Sequence, residues 1–187
     1  MSRILHSITA LAFAILLASG SAARASEDKS VFVSGNSTFS NCGVEGSDAA
    51  LLMTGDLEGC LSVFVQRFKC KELADYDLLH EKGREVFIGT LHGKQGRFTT
   101  HYTFDGAYAK GFCQSFDASL EVGGGCIHTI QRGRGAFKNA EGVITFIDVI
   151  AGVTGDPVTG TFAAGTGLNN AVYYGRIHLD HDHNHDH

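Results

Sequence analysis

Glycine residues divide this chain into short apolar runs, and that punctuation constrains the fold more than any other feature of the sequence. The chain has 187 residues, among them 24 glycines and 13 phenylalanines, but only one proline. From Ala49 onward, runs rich in Val, Ile, Phe and Thr alternate with turn-like segments about every eight to twelve residues. Such runs suit strands better than helices. The pattern predicts an all-β barrel or sandwich, and a barrel is favoured because closure leaves no exposed sheet edge.

The alternation of apolar and polar residues locates the strands and the faces that they bury. In the strand at 97–104, Phe98, Tyr102 and Phe104 share one face, which we expect to point inward and line a lumen. Both faces of the strand at 143–150 are apolar except at Asp148, which predicts an outer face covered by a partner such as a second copy of the chain. The expected strands are 51–56, 57–65, 76–79, 84–91, 97–104, 112–122, 126–131, 143–150, 160–164 and 171–179, with loops at 92–96, 123–125, 133–135 and 155–157.

The N-terminal residues have the composition of a secretory signal. Arg3 and His6 precede an apolar stretch that is too short to span a bilayer comfortably, and Ala23 and Ala25 fit the small-x-small cleavage pattern. We expect cleavage after Ala25 and a secreted or periplasmic mature chain; the alternative is an uncleaved anchor. The expected segments are a signal peptide at 1–25, a polar leader at 26–46 with a short strand at 31–33, a β-barrel domain at 47–179 and a disordered His- and Asp-rich tail at 180–187.

Charge and cysteine content narrow the choice of partners and sites. The formal net charge is −5 and the sequence has no run of Lys and Arg, which argues against nucleic acid or an anionic membrane as a partner. Beyond the signal, no stretch is apolar enough to span a membrane. Because export leads to an oxidising compartment, disulfides are expected, and an odd number of cysteines leaves at least one free or paired between chains. The five cysteines are Cys42, Cys60, Cys70, Cys113 and Cys126, and no spacing is Cys-x-x-Cys.

One segment resembles a known family. Residues 133–142 read Gly-Arg-Gly-Ala-Phe-Lys-Asn-Ala-Glu-Gly, which is similar to the G-x-G-x-F-x-x-A-x-G signature of the allene oxide cyclase and dirigent barrels. In physical terms, the leading glycines permit a tight turn, Phe137 is expected to form an apolar plug beneath it, and Ala140 and Gly142 allow close packing. The resemblance implies an antiparallel eight-stranded, calycin-like barrel, often oligomeric, with a central apolar cavity.

The resemblance carries no catalytic residue to this chain, because the functional positions of the family cannot be matched here one by one. The plant cyclases isomerise an unstable fatty-acid epoxide, which implies a cavity with a carboxylate and polar anchors. Acid–base chemistry needs a titratable group in an apolar cavity, where burial tunes its pKa. For Glu58 and Glu85 the alternative is a solvated position on the outside of the barrel. For Tyr102 the alternative is a core position with its hydroxyl at the barrel rim. The candidates are Glu58, Glu85, Tyr102, His128 and Asp148.

Cys126 and His128 lie two residues apart on a predicted strand and therefore point to the same side. Such a pair can contribute to a metal site or form an activated thiolate. A metal needs further ligands, and same-face neighbours along one strand are about 6–7 Å apart, which is too far for a direct hydrogen bond. The alternative is a disulfide-bonded Cys126 with His128 at the barrel rim.

Three functions fit an exported barrel of this kind. The first is the binding of a small apolar ligand in the lumen, for which no cofactor is required. The second is a cyclase or other isomerase that holds a reactive apolar substrate in the same cavity. The third is a non-catalytic envelope or secreted interaction protein whose barrel is filled by side chains. Phenylalanines can line a lumen or fill it, so composition does not decide among them.

The C-terminal segment alternates imidazole and carboxylate groups, which is the composition of a multidentate chelator. Borderline divalent metals such as zinc, nickel or copper prefer these ligands. The alternative is a solvated tail with no physiological metal. The expected ligands are His181, His183, His185 and His187.

Deleting residues 180–187 should abolish most uptake of copper, nickel or zinc and leave Tm nearly unchanged, because the ligands lie beyond the last apolar strand position, Leu179. Uptake should be strongest for copper and should weaken as the pH falls through about 6.5, since protonated imidazole cannot ligate. Calorimetric titration of the full and truncated chains measures both effects. Tight binding of one zinc ion by the truncated chain would exclude the tail and point instead to Cys126 and His128.

Overall fold

The structure, a computed structural model, describes residues 29–150, 154–156, 161–163 and 168–179. Its strands are β1 (Lys29–Phe39), β2 (Ala49–Gly55), β3 (Leu57–Glu72), β4 (Tyr76–Leu91), β5 (Lys94–Ala109), β6 (Glu121–Gly135), β7 (Glu141–Ile150), β8 (Thr154–Asp156), β9 (Thr161–Ala163) and β10 (Leu168–Leu179). Helix α1 (Phe112–Ser115) and a 3-10 turn (Ala118–Leu120) connect β5 to β6. Neither of these described helices is long and apolar enough to cross a membrane.

Eight antiparallel strands close into a barrel. Their order around the barrel is β1-β10-β7-β6-β5-β4-β3-β2, and β8 and β9 form a separate two-stranded sheet. Neighbours in sequence are neighbours in space, except where β10 returns to lie between β7 and β1. The prediction of an all-β, antiparallel, eight-stranded barrel is therefore confirmed.

The barrel begins earlier than the sequence pattern indicated. Residues 29–39, which were assigned to the polar leader, form β1 and pair with both β2 and β10. Only alternate residues of a barrel strand face the interior, and in β1 the buried residues include Val33 and Ser37. Ser34, Gly35 and Asn36 between them interrupt the apolar pattern, so the sequence predicts a domain boundary at residue 47, later than the first barrel strand.

The strand predicted at 112–122 is wrong over most of its length, since α1 and the 3-10 turn occupy it and β6 begins at Glu121. The buried Asp77 carboxylate accepts hydrogen bonds from the backbone N–H groups of Gly111 and Cys113, at 3.1 and 3.0 Å. A disulfide between Cys70 and Cys113 also ties the helix to β3. These two anchors favour a compact turn where the apolar content alone suggested a strand.

Several predicted breaks belong to strands. The segments 76–79 and 84–91 form one continuous strand, β4, and the predicted loops at 123–125 and 133–135 both lie within β6. Of the loop predicted at 155–157, residues 155 and 156 belong to β8. Gly83 of β4 leaves space for a neighbouring ring, because a Cβ at this position would lie 2.5 Å from Cε1 of Tyr102. Glycine here leaves room for the ring of its partner on the neighbouring strand β5, so it does not mark a turn.

Phenylalanines fill one half of the lumen. The rings of Phe87 and Phe98 are stacked with their centroids 4.8 Å apart, and the Phe137 ring packs edge-on against them at 5.7 and 4.9 Å respectively. All three rings are buried, Phe137 completely. The interpretation of Phe137 as a buried apolar plug is confirmed, but the turn lies at 136–139 and includes Phe137, because residues 133–135 form the end of β6. Phe98 belongs to the same packed core.

Two disulfides cross-link the barrel, Cys42–Cys60 and Cys70–Cys113, and Cys126 is a free thiol. The expectation of disulfides with one cysteine left over is confirmed. Disulfides of this kind persist in oxidising environments, which supports an extracytoplasmic location. The predicted signal peptide at 1–25 lies outside the described residues.

The outer face of β7 is apolar and exposed in the single chain. Val143, Ile147 and Val149 keep 44, 43 and 42% of their surface accessible. Its inner face is covered as expected, since Ile144 and Phe146 are buried. A homo-oligomer that covers the outer face remains a prediction.

Replacing Phe137 with alanine should lower the free energy of unfolding by about 3–5 kcal/mol, because it leaves a cavity between two buried rings. The matched control is Phe32→Ala, which removes the same atoms from a side chain that is 54% exposed and should change stability by less than about 1 kcal/mol. Denaturant unfolding of both variants gives the comparison. Equal, small losses would show that Phe137 does not support the barrel.

Candidate functional site

The half of the lumen beyond the phenylalanine cluster contains a cavity of about 290 Å³. Along β4, inward positions run from Phe87 in the packed half to Glu85, Glu81 and Leu79 in the open half. Along β6, His128 and Cys126 follow Ile130 in the same way. Alternation along the strands therefore places polar groups next to one another in an apolar barrel.

A buried Glu85–His128 pair forms the inner end of this cavity. Glu85 Oε2 lies 2.5 Å from His128 Nδ1 and also accepts a hydrogen bond of 2.5 Å from Thr100 Oγ1. Glu85 and Thr100 are opposite each other on β4 and β5, and His128 is opposite Tyr102 on the next strand pair. Register across three strands thus assembles the cluster.

The imidazole of His128 is fixed but only half satisfied. It lies between two aromatic rings, with its centroid 4.3 Å from Phe146 and 6.0 Å from Tyr102. In the neutral tautomer that carries its proton on Nδ1, facing the Glu85 carboxylate, Nε2 has a lone pair. Nε2 is buried and has no hydrogen-bond partner among the described residues. This nitrogen is therefore available to accept a proton or to bind a ligand group.

A second pair of polar side chains, the two acidic residues Glu121 and Asp148, faces the same cavity from β6 and β7. Both carboxyl groups lie over Gly124, because a Cβ at this position would be 2.7 Å from Glu121 Oε1 and 2.5 Å from Asp148 Oδ2. Only glycine leaves them room. The same two oxygens are buried and have no hydrogen-bond partner among the described residues.

One proton shared by the pair resolves this conflict. Burial raises the pKa of Glu121 to about 8, with a further contribution from the hydrogen bond and the charge of Asp148. Burial also raises the pKa of Asp148, although the hydrogen bond from Glu121 and the charge of His128 act in the opposite direction. Near neutral pH, burial therefore favours the protonated form of Glu121, which can donate this proton to Asp148.

Tyr102 and Cys126 complete the polar lining. The Tyr102 hydroxyl donates a hydrogen bond of 2.5 Å to Glu81 Oε1. Burial, together with the charges of Glu81 and Glu85, raises the pKa of the Tyr102 phenol. Burial and the surrounding carboxylates likewise raise the pKa of the Cys126 thiol, so this environment opposes an activated thiolate.

Four of the five residues predicted to carry acid–base chemistry come together in this cavity. Glu85, Tyr102, His128 and Asp148 line it, whereas Glu58 is exposed on β3 and does not. Their assignment as catalytic groups stays a prediction. Of the residues expected to line the lumen, Tyr102 and Phe104 border the cavity, and Phe98 lies in the packed half.

Sequence reasoning missed Glu81 and Glu121. Glu81 lies between two segments predicted as separate strands, and Glu121 precedes a glycine run predicted as a loop. Extending the alternation of β4 from Glu85 through Gly83 would have placed Glu81 on the inner face. For Glu121 no comparable signal exists, because its position depends on where α1 ends.

The residues that the structure describes contain no group of three or more His, Cys, Asp or Glu side chains arranged to hold a metal ion. Cys126 and His128 are thus not part of such a group. The tail residues His181, His183, His185 and His187 lie outside the described part of the chain, and their metal binding remains a proposal.

Comparison of the chain with protein-family models gave no match. Comparison with curated proteins gave no match either. No solved structure matched the fold. The geometry of the lumen therefore carries the functional argument.

The Glu121→Gln variant should be less sensitive to pH than the wild type. The pKa of Glu121 is about 8 in the folded chain and about 4.3 in an unfolded chain. The folded state therefore binds more protons in between, and the free energy of unfolding should fall as the pH rises from 5 to 8. Between pH 5 and pH 8, we expect the free energy of unfolding of the wild type to fall by about 1–3 kcal/mol more than that of the variant.

Urea unfolding at pH 5 and pH 8 measures this difference. Glu58→Gln is the matched control, because it removes an exposed carboxylate and should keep the pH dependence of the wild type. Parallel pH profiles for wild type and Glu121→Gln would contradict a shared proton at Glu121 and Asp148.

Proposed function

We propose that this protein binds a small, largely apolar molecule inside its barrel. The supporting observation is the division of the lumen: phenylalanines pack one half, and the other half keeps a cavity of about 290 Å³. That volume is roughly ten water molecules' share of liquid water and lies near the lower end of small-molecule sites, which is about 300 Å³. A barrel interior that served only as core would fill this space.

The composition of the cavity wall suits such a ligand. Aliphatic and aromatic side chains form most of it, and the polar groups are concentrated on β4, β6 and β7. Sites for small molecules commonly combine an apolar wall with a few polar groups that fix orientation. The apolar lining residues include Leu51, Val63, Val65, Leu79, Phe104 and Phe146.

The protein is proposed to be an exported barrel of the allene oxide cyclase-like type. The closed eight-stranded topology and the buried Phe137 in the turn at 136–139 support the resemblance. The two disulfides support a secreted or periplasmic location.

Isomerase activity in the same cavity is the second candidate, and the Glu85–His128 pair favours it. A carboxylate that orients Nδ1 leaves Nε2 as a general base, an arrangement used in many enzymes. Nε2 would remove a proton from the substrate, and the protonated Glu121 would return one at another atom. Such a transfer consumes no co-reactant, and its product is an isomer of the substrate.

Closing the cavity mouth should abolish ligand binding. Ala118 borders the cavity from the 3-10 turn and is exposed, so Ala118→Trp adds bulk at the entrance without disturbing the core. Ser119 is exposed and does not border the cavity, so Ser119→Trp is the matched control. The neutral dye N-phenyl-1-naphthylamine should bind Ala118→Trp at least about tenfold more weakly than wild type, a loss of about 1.4 kcal/mol.

Native mass spectrometry of the purified wild type identifies any molecule that it carries. A binding protein returns that molecule unchanged, whereas an isomerase converts it to a species of equal mass. Equal dye affinity in wild type, Ala118→Trp and Ser119→Trp would place binding outside the lumen and reject the proposal.

A further inference from the structure

We propose that the lumen selects small apolar molecules that carry a protonated amine, and that the ammonium group binds between Glu121 and Asp148. This inference rests on the proposed ligand-binding function and adds the chemical class of the ligand. It is argued from the charge of the cavity, from its unpartnered polar atoms and from the rings beside them.

The charged side chains of the cavity lining are mainly acidic. Among the described residues, the only basic side chain in the lining is His128, which is already paired with Glu85, and no Lys or Arg borders the cavity. An anionic ligand would therefore meet repulsion in a poorly screened interior, whereas a cation would be attracted. The acidic lining residues are Asp48, Glu81, Glu85, Glu121 and Asp148.

Buried acceptors without donors indicate where the cation binds. Glu121 is 3% exposed, yet its Oε1 has no hydrogen-bond partner among the described residues, and the buried Oδ2 atom of Asp148 has none there either. An ammonium group has three N–H donors and can satisfy both oxygens, with a third donor left over. Hydrogen bonds between charged groups are among the strongest in proteins. The amine would take the place of the shared proton.

An independent, non-acidic group also lacks a partner in the same cavity. His128 is 2% exposed, and its Nε2 atom has no hydrogen bond to any residue that the structure describes. Burying such an atom is costly unless a ligand or water satisfies it. Two separate groups of buried polar atoms that lack partners therefore face a single cavity. One is the pair of carboxylate oxygens on β6 and β7, and the other is Nε2 of His128.

Aromatic rings flank the acidic pair. The position of a Cβ on Gly124, next to both carboxyl groups, lies 2.7 Å from Cε2 of Phe104. Tyr108 also borders the cavity and is opposite Glu121 in the β5–β6 pairing. Ring faces attract cations in desolvated sites. The rings can therefore contact both the apolar body and the charged head of the ligand.

Binding of the amine should release a proton from the acidic pair. Near neutral pH the ammonium replaces the proton held by Glu121, so up to one proton leaves per ligand, and the release should vanish well above pH 8. The other titratable groups that line the cavity around the pair are Glu81 and Glu85 on β4, Tyr102 and Tyr108 on β5, Cys126 and His128 on β6, and Asp48 before β2.

A matched series of ligands tests the inference. The three probes are 3-phenylpropylamine, 3-phenylpropan-1-ol and 3-phenylpropanoic acid, which share one apolar body and differ in charge. Calorimetry at pH 7 should show the amine binding at least about tenfold more tightly than the alcohol, which corresponds to 1.4 kcal/mol. The acid should bind most weakly. Titrations of the amine in two buffers of different ionisation enthalpy give the number of protons released.

Variants locate the ammonium group. Glu121→Gln combined with Asp148→Asn should reduce amine affinity to within about threefold of the alcohol while alcohol affinity changes little. Glu58→Gln, which removes an exposed carboxylate, should keep the amine preference. The proton count on wild-type protein tests the same point even if the double variant does not fold.

The outcomes separate the two proposals. If the alcohol binds in the lumen but the amine has no advantage, or keeps its advantage in the folded double variant, the charge inference is overturned and ligand binding stands. If the acid binds most tightly, the charge inference is likewise overturned. If none of the three probes binds, lumenal binding itself fails.

Discussion

Closure of the barrel between β1 and β10 is the constraint on which the other features depend. The two strands pair antiparallel from Lys29 opposite Leu179 to Ser37 opposite Ala171. Tyr173 of β10 reinforces the closure from beyond this seam, because its hydroxyl oxygen accepts a hydrogen bond of 2.9 Å from the backbone N–H of Leu57, the first residue of β3. Without this seam the inward faces of β4, β6 and β7 would be open to water, and their carboxyl groups would behave as ordinary surface acids.

Within the closed barrel, packing and polarity are divided along the axis. Phe87, Phe98 and Phe137 make one half a close-packed core, and the other half holds polar side chains around an open cavity. The packed half supplies stability that the polar half does not, since burial of Glu121 and Asp148 costs free energy. A stable core at one end allows an energetically unfavourable group of acids at the other, as is common where a fold carries a function.

The sequence was informative where the structure depends on local patterns. Gly-bounded alternation indicated the barrel, and the motif at 133–142 placed Phe137 correctly. The sequence indicated Glu85 and His128 separately as candidates. It could not predict their contact, because the contact depends on the register across β4, β5 and β6. Glu121 was missed for a related reason: its inward position follows from the tether between Cys113 and Cys70, which is invisible in a linear pattern. Most of β1, residues 29–39, was not predicted as a strand, because its hydrogen bonds to β2 and β10, more than its composition, place it in the barrel.

Gly124 gives the lumen an unusual evolutionary property. Because Gly124 has no side chain, the carboxyl groups of Glu121 and Asp148 can occupy the space beside it. The electrostatic character of the interior therefore depends on a residue that carries no charge. Most acquired side chains at this codon would separate the pair without altering any acidic residue. Lineages could therefore retain every charged residue of the barrel and still diverge in the molecules they accept, and a comparison limited to polar positions would overlook the change.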